Sequence, residues 1–191
     1  MRKAAVAAAC MSLLLSSVAQ AQPKIESYRA EGDLEATHTV GCIPIDEARP
    51  GYTPADLYPA VSACVAEEDF ERAVALFGLA GVYGRVDIDR VSDRTAHQAI
   101  AVLQQGLFAA LDEDEGARMF ETLSRAADDP EKLSRVCSAI RSVGPPNYHP
   151  TYMIQHGMGA FTGSRQSTPK GFDLDASFAK ALAGYLKCPE A

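Results

Sequence analysis

Two histidines, two methionines and two glycines crowd residues 148–161, YHPTYMIQHGMGAF. Imidazole nitrogen and thioether sulfur suit copper, and imidazole suits zinc, so His149, His156, Met153 and Met158 are the metal-ligand candidates. Spacing argues against one shared ion. Seven helical residues separate the two histidine alpha carbons by about 10 Å of rise. The alternative is a short helix with Pro150 at its first position, His149 at the cap, Met153 and Ile154 in the core, and Gly157 ending it left-handed. The stretch therefore reads as structural with an exposed rim, and no metal or cofactor is assigned. Asn147, Tyr148, His149, Tyr152 and Gln155 on that rim are the candidate contacts for a protein partner.

The remaining chemical motifs are weaker. Gly157, Gly159 and Gly163 miss the G-x-G-x-x-G spacing by one position, and no strand precedes them. Ser167-Thr168-Pro169-Lys170 matches S-x-x-K, but the S-D-N and K-T-G elements of penicillin-binding enzymes do not follow it, so it reads as a loop. Asp112-Glu113-Asp114-Glu115 offers carboxylates, yet adjacent side chains diverge, whereas glycoside hydrolysis needs two facing across a cleft. That run reads as a solvated helix start, with Asp112 and Glu113 on an acidic rim open to a partner. His97 reads as a helix flank residue, and His38 falls in a stretch without pattern. No G-x-S-x-G or H-E-x-x-H is present. The expectation is a non-enzymatic protein.

The chain opens MRKAAVAAACMSLLLSSVAQAQ, a basic start, an apolar run too short to span a bilayer, and small residues before Gln22. This reads as a secretory signal over residues 1–21, cleaved near Ala21, and implies a periplasmic or secreted protein without a transmembrane anchor. Four cysteines then remain: Cys42, Cys64, Cys137 and Cys188. In an oxidising compartment an even number implies disulfides, with three pairings open. Pairing Cys42 with Cys64 and Cys137 with Cys188 closes the shorter loops, each stabilising by roughly 3–4 kcal/mol. No cysteine pair has zinc spacing. The formal net charge of −7 becomes −9 without Arg2 and Lys3, with 16 basic against 25 acidic residues. That argues against nucleic acid and anionic membranes and is compatible with a basic protein partner.

Residues 22–52 carry no periodic pattern and read as an irregular segment fastened by Cys42, ahead of a helical domain over residues 53–191. Thr53-Pro54-Ala55-Asp56 is a helix start, with Leu57, Ala60, Val61, Cys64 and Val65 at helical spacing over residues 54–66. Ser92 precedes a helix bearing Ala96, Ala99, Ile100, Leu103, Leu107 and Leu111. The acidic run opens another, with Met119, Leu123 and Ala126 inward. Asp129-Pro130-Glu131 opens the next, with Leu133, Val136 and Ile140, and Gly144-Pro145-Pro146 ends it. A last helix over residues 175–187 buries Phe178, Ala181, Leu182 and Tyr185. The fold class is all-α, one domain of five or six helices.

Phe70, Ala73, Phe77 and Ala80 recur at intervals of three and four, and with the preceding helix this resembles a tetratricopeptide or Sel1-like hairpin over residues 57–86. Ala60 and Val61 depart from that pattern and no second copy follows, so the resemblance implies hairpin packing inside a non-repetitive domain. Small acidic envelope proteins of this kind resemble, as a class, immunity proteins that neutralise envelope-targeted toxins. The leading expectation is accordingly a protein-binding, immunity-type inhibitor. A metal-binding protein or enzyme using the His149/His156 region, and a structural envelope protein, are the alternatives.

Overall fold

The computed structural model describes residues 29–163 and 168–189, so residues 1–21, expected to be a secretory signal, and Ser167 lie outside the described residues. Among these residues every regular element is helical and none is a strand. Six helices of 11 to 21 residues carry the architecture: α1 Pro54–Ala66, α2 Phe70–Arg90, α3 Gln98–Ala110, α4 Glu113–Asp128, α5 Pro130–Val143 and, last, α8 Leu174–Gly184. Two four-residue turns of helix, α6 Thr151–Ile154 and α7 Gly159–Thr162, lie between α5 and α8. The fold is all-α.

Helix α1 begins as its sequence dictates. Thr53 caps it, its hydroxyl accepting the Asp56 N–H while the Asp56 carboxylate accepts the Thr53 N–H at 2.7 Å. The helix then runs through Pro59, whose missing donor local rules penalise; burial of Leu57, Ala60, Val61 and Cys64 outweighs that loss. A three-residue link joins α1 to α2, which is the axis of the molecule. Helices α1, α4, α5 and α8 all pack on α2. It continues past Val86 to Arg90, and close packing explains two of its glycines, Gly81 and Gly84. A Cβ on Gly84 would come within 2.7 Å of the Ile100 side chain on α3.

The start of α3 differs from expectation. Residues 94–97 form turns, Ala96 is buried within them, and Leu111 falls beyond the helix end. The Asp93 carboxylate accepts the N–H and the hydroxyl of Thr95, at 2.8 and 2.6 Å. This side-chain turn competes with helix at the position where Ser92 would have capped it. Helix α8 likewise stops at Gly184, three residues before the expected end, and Lys187 adopts a φ of 60°. Helices α4 and α5 begin where expected, on Asp112 and Asp129 caps.

Both disulfides form with the shorter-loop pairing, Cys42–Cys64 and Cys137–Cys188. The first ties the segment before α1 to that helix, and the second ties the chain after α8 to α5. Residues 29–52 hold no helix beyond one 3-10 turn, Ile45–Glu47, yet they are anchored at defined points. Asp56, fully buried, accepts the backbone N–H groups of Thr37 and His38 at 2.6 and 2.7 Å. Leu34 donates to the Tyr152 carbonyl at 3.1 Å. Among the described residues no helix is long and apolar enough to cross a membrane.

Candidate functional site

The loop that follows Pro145-Pro146 is built around a buried carboxylate. Asp87, in the last turns of α2, has no exposed surface. Tyr148 and Tyr152 both donate their hydroxyls to its Oδ2, at 2.9 and 2.6 Å. Arg90, one turn on, donates Nε to Oδ1 at 2.8 Å and Nη1 to the Tyr148 carbonyl at 2.8 Å, with its guanidinium 4.8 Å from the Tyr148 ring centre. Burial pushes the Asp87 carboxyl up from its ordinary value, while Arg90 and the two hydroxyls pull against that shift. Burial holds both tyrosine hydroxyls well above their usual range, so they act as donors.

This arrangement corrects the expected partner contacts. Tyr152 is 2 % exposed and belongs to the core, and Tyr148 is half-buried with its hydroxyl turned inward. A tyrosine buries its ring where its hydroxyl can find a partner, and Asp87 supplies one for both. Asn147 and His149 remain exposed, and Gln155 is half-buried. Asn147 donates its N–H to the Pro50 carbonyl at 2.9 Å. Pro150 occupies the cap of α6, not its first helical position, so His149 precedes the cap, its Nδ1 3.0 Å from the Thr151 hydroxyl.

The metal candidates face different surroundings. His156 Nδ1 lies 2.8 Å from Asp33 Oδ1, joining the loop to the segment before α1. Met153 is fully buried, whereas Met158 is 59 % exposed. Among the described residues no three His, Cys, Asp or Glu side chains gather as a metal-binding group. Gly157 is not left-handed, which corrects its expected role. It permits a close approach: a Cβ there would sit 2.5 Å from the Asp93 carboxylate and 2.9 Å from the Ala96 Cβ. The same turn receives the Met158 N–H on Thr95 and the Gly159 N–H on Asp93, each at 2.9 Å. A cleft of about 370 Å³ beside the loop is lined by Gly32, Glu35, Thr37, Thr53, His149 and Thr151.

The acidic run opens α4. Asp112 and Glu115 are engaged in a reciprocal cap, each accepting the other's N–H, at 2.8 and 2.9 Å. Glu113 is free of that duty and exposed. It shares a helical face with Ala117 and Phe120 four and seven residues on. Phe120 is 70 % exposed. On another face of α4 a groove of about 420 Å³ runs between that helix and the start of α2, lined by Glu67, Glu68, Phe70, Arg118, Glu121 and Arg125. Arg118 covers the Phe70 ring at 4.3 Å and pairs with Glu68 at 3.1 Å.

Helix α4, which carries the acidic run, meets Phe70 at the start of α2 through Arg118, whereas the histidine loop closes on Asp87, about 25 Å further along that helix. His97 sits at the cap of α3 with Nε2 2.8 Å from the Val91 carbonyl, and His38 Nδ1 lies 3.3 Å from Asp56. Lys170 is exposed in a turn closed by the Phe172 N–H on the Pro169 carbonyl. Sequence reasoning missed Asp87 and Arg90; the available signal was an acid on the buried stripe of Val82, Val86 and Tyr83 with an arginine three residues later. No protein-family model, curated protein or solved structure matches this chain.

Proposed function

We propose that this is a secreted, non-enzymatic protein-binding module whose partner is basic. The observation that supports the reading is Phe120, a large aromatic left 70 % exposed on α4. It shares its helical face with Glu113 and Ala117. Aromatic anchors surrounded by polar rims are what protein interfaces use, and an acidic rim steers a basic partner. The chain's net charge of −7 favours the same partner. The histidine loop, by contrast, turns its tyrosines inward and stiffens the scaffold.

In this reading the first 21 residues are a cleaved export signal, the two disulfides maintain the fold outside the cytoplasm, and α1 with α2 acts as a repeat-type hairpin. The biological role that fits is an immunity-type inhibitor of an envelope-directed toxin. Affinity capture from envelope extract and from competing bacteria tests it, with the parent protein and Phe120→Asp run side by side at low salt and at about 0.5 M salt. A basic protein retained by the parent, weakened by salt and lost from Phe120→Asp supports the reading. A partner retained equally by both variants removes α4 from the interface, and no partner at all removes the binding function.

A further inference from the structure

We infer that the cleft between α2 and α8 binds a carboxylate carried on an apolar body, with Arg85 as the anchor. The cleft has a volume of about 370 Å³, and Ile88, Ala181 and Tyr185 line it together with Arg85 and Lys180. Small-ligand sites occupy roughly 300–1,000 Å³ and combine apolar walls with a few placed polar groups. This cleft is of that kind, at the small end.

Its cationic group is held in place and left unspent. A Cβ on Gly81 would overlap the Tyr185 ring, so glycine in the middle of α2 is what lets that ring lie against the helix. Arg85, one turn on, places its guanidinium over the same ring, 5.3 Å from its centre. Stacking on tyrosine positions a guanidinium without using its N–H donors. Asp89 stands four residues after Arg85, a spacing at which ion pairs form along a helix. It pairs elsewhere: Asp89 accepts the Ser177 hydroxyl at 3.0 Å and takes Lys180 Nζ on its two oxygens at 3.1 and 2.9 Å. Among the described residues the Arg85 guanidinium therefore has no carboxylate partner, in a chain of 25 acidic and 18 basic residues.

Charge selects the ligand. Arg85 and Lys180 against Asp89 leave this cleft one net positive charge, whereas the groove between α4 and the start of α2 sets five carboxylates against Arg118 and Arg125. A monoanion balances a single charge, and a phosphate dianion does not. A carboxylate also accepts the guanidinium fork through both of its oxygens. The rest of the ligand meets Ile88, Ala181 and the Tyr185 ring, where an apolar body gains by displacing water. A free small acid and the C-terminal carboxylate of a peptide share this chemistry.

Backbone amide NMR shifts of the disulfide-bonded protein read the binding, with phenylbutyrate and acetyl-leucyl-leucine as probes and each compared with its own carboxamide. Saturable shifts are expected at Arg85, Ile88, Gly184 and Tyr185, with a dissociation constant on the order of 1 mM. The carboxamides should bind about tenfold more weakly, and the tighter of the two acids identifies the source of the carboxylate. Arg85→Gln should cost about tenfold while retaining the parent's circular dichroism. Gly184→Leu should abolish binding, since it fills the cleft from a position where a Cβ meets nothing. Asp89→Asn, which frees Lys180, should tighten binding about threefold, a change that damage to the fold would not produce. Carboxamides that bind as well as the acids overturn the inference, as does an affinity that Arg85→Gln leaves unchanged or an absence of shifts up to about 20 mM. Failure here leaves the Phe120 surface on α4 untouched.

Discussion

Tyr152 donates its hydroxyl to Asp87 at 2.6 Å, across 65 residues of sequence and inside the core. Together with Tyr148 and Arg90 it encloses a carboxylate that water does not reach. Removing one donor leaves the carboxylate under-satisfied, at about 1–3 kcal/mol. Tyr152→Phe should lower the free energy of unfolding in urea by that amount. Asp87→Ala should lower it by about 3–5 kcal/mol, since Arg90 is then left buried without its counter-charge. A Tyr152→Phe protein as stable as the parent would show that this network contributes nothing.

The two buried aspartates respond to pH in opposite senses. For Asp56, burial raises the carboxyl, but the amides of His38, Thr53 and Thr37 and the Thr53 hydroxyl outweigh it and the net shift is downward. Its stabilisation is present above the unfolded value near 3.8 and is lost as pH falls through the lower folded value. Asp87 is shifted upward by burial, so between 3.8 and that raised value the folded state binds more protons than the unfolded. Stability from Asp87 therefore falls as pH rises through that window. Unfolding measured from about pH 3 to pH 7 should show a shallower acid-side loss in Asp56→Asn and a steeper one in Asp87→Asn. Identical profiles would contradict both assignments.

The disulfides should differ in weight. Their partners are 22 and 51 residues apart, and loop-closure entropy assigns about 3.4 and 4.1 kcal/mol to such loops. Cys137→Ser with Cys188→Ser should lower thermal stability more than Cys42→Ser with Cys64→Ser. The reverse order would mean that the anchoring of residues 29–52 outweighs chain entropy.

Local signals were legible where the physics is local. Thr53-Pro54-Ala55-Asp56 marks the start of α1 because cap, proline and acid act within four residues, and Asp112 to Glu115 does the same for α4. The disulfide pairing followed from loop length. What escaped depends on partners distant in sequence. Nothing around Tyr148 or Tyr152 reveals that both turn inward, because the reason is Asp87, more than sixty residues earlier. The late start of α3 depends on Asp93, whose turn is completed by Gly159 from the far end of the loop. Helix α1 passes through Pro59 because burial of Leu57, Ala60, Val61 and Cys64 outweighs one lost bond, a sum local propensity does not contain. The candidate surface was half legible: acidity pointed to α4, but Phe120 shares no visible pattern with Glu113 until the helix is built.

Gly157 gives the sharpest test of how the histidine loop is seated. The atoms that a Cβ would strike are the Asp93 carboxylate and the Cβ of Ala96, and the latter is fixed by the backbone and cannot swing aside. Gly157→Ala must therefore push residues 157–162 off the turn, stretching the Met158 and Gly159 amide bonds to Thr95 and Asp93. We expect a loss of about 1–3 kcal/mol from overpacking, with faster hydrogen exchange at the Met158 and Gly159 amides and unchanged protection in α2. Gly106→Ala, where no atom obstructs the new methyl group, should instead stabilise the protein by up to about 1 kcal/mol. If both substitutions move stability in the same direction, glycine at 157 is not there to admit the turn, and the loop is held by its tyrosines alone.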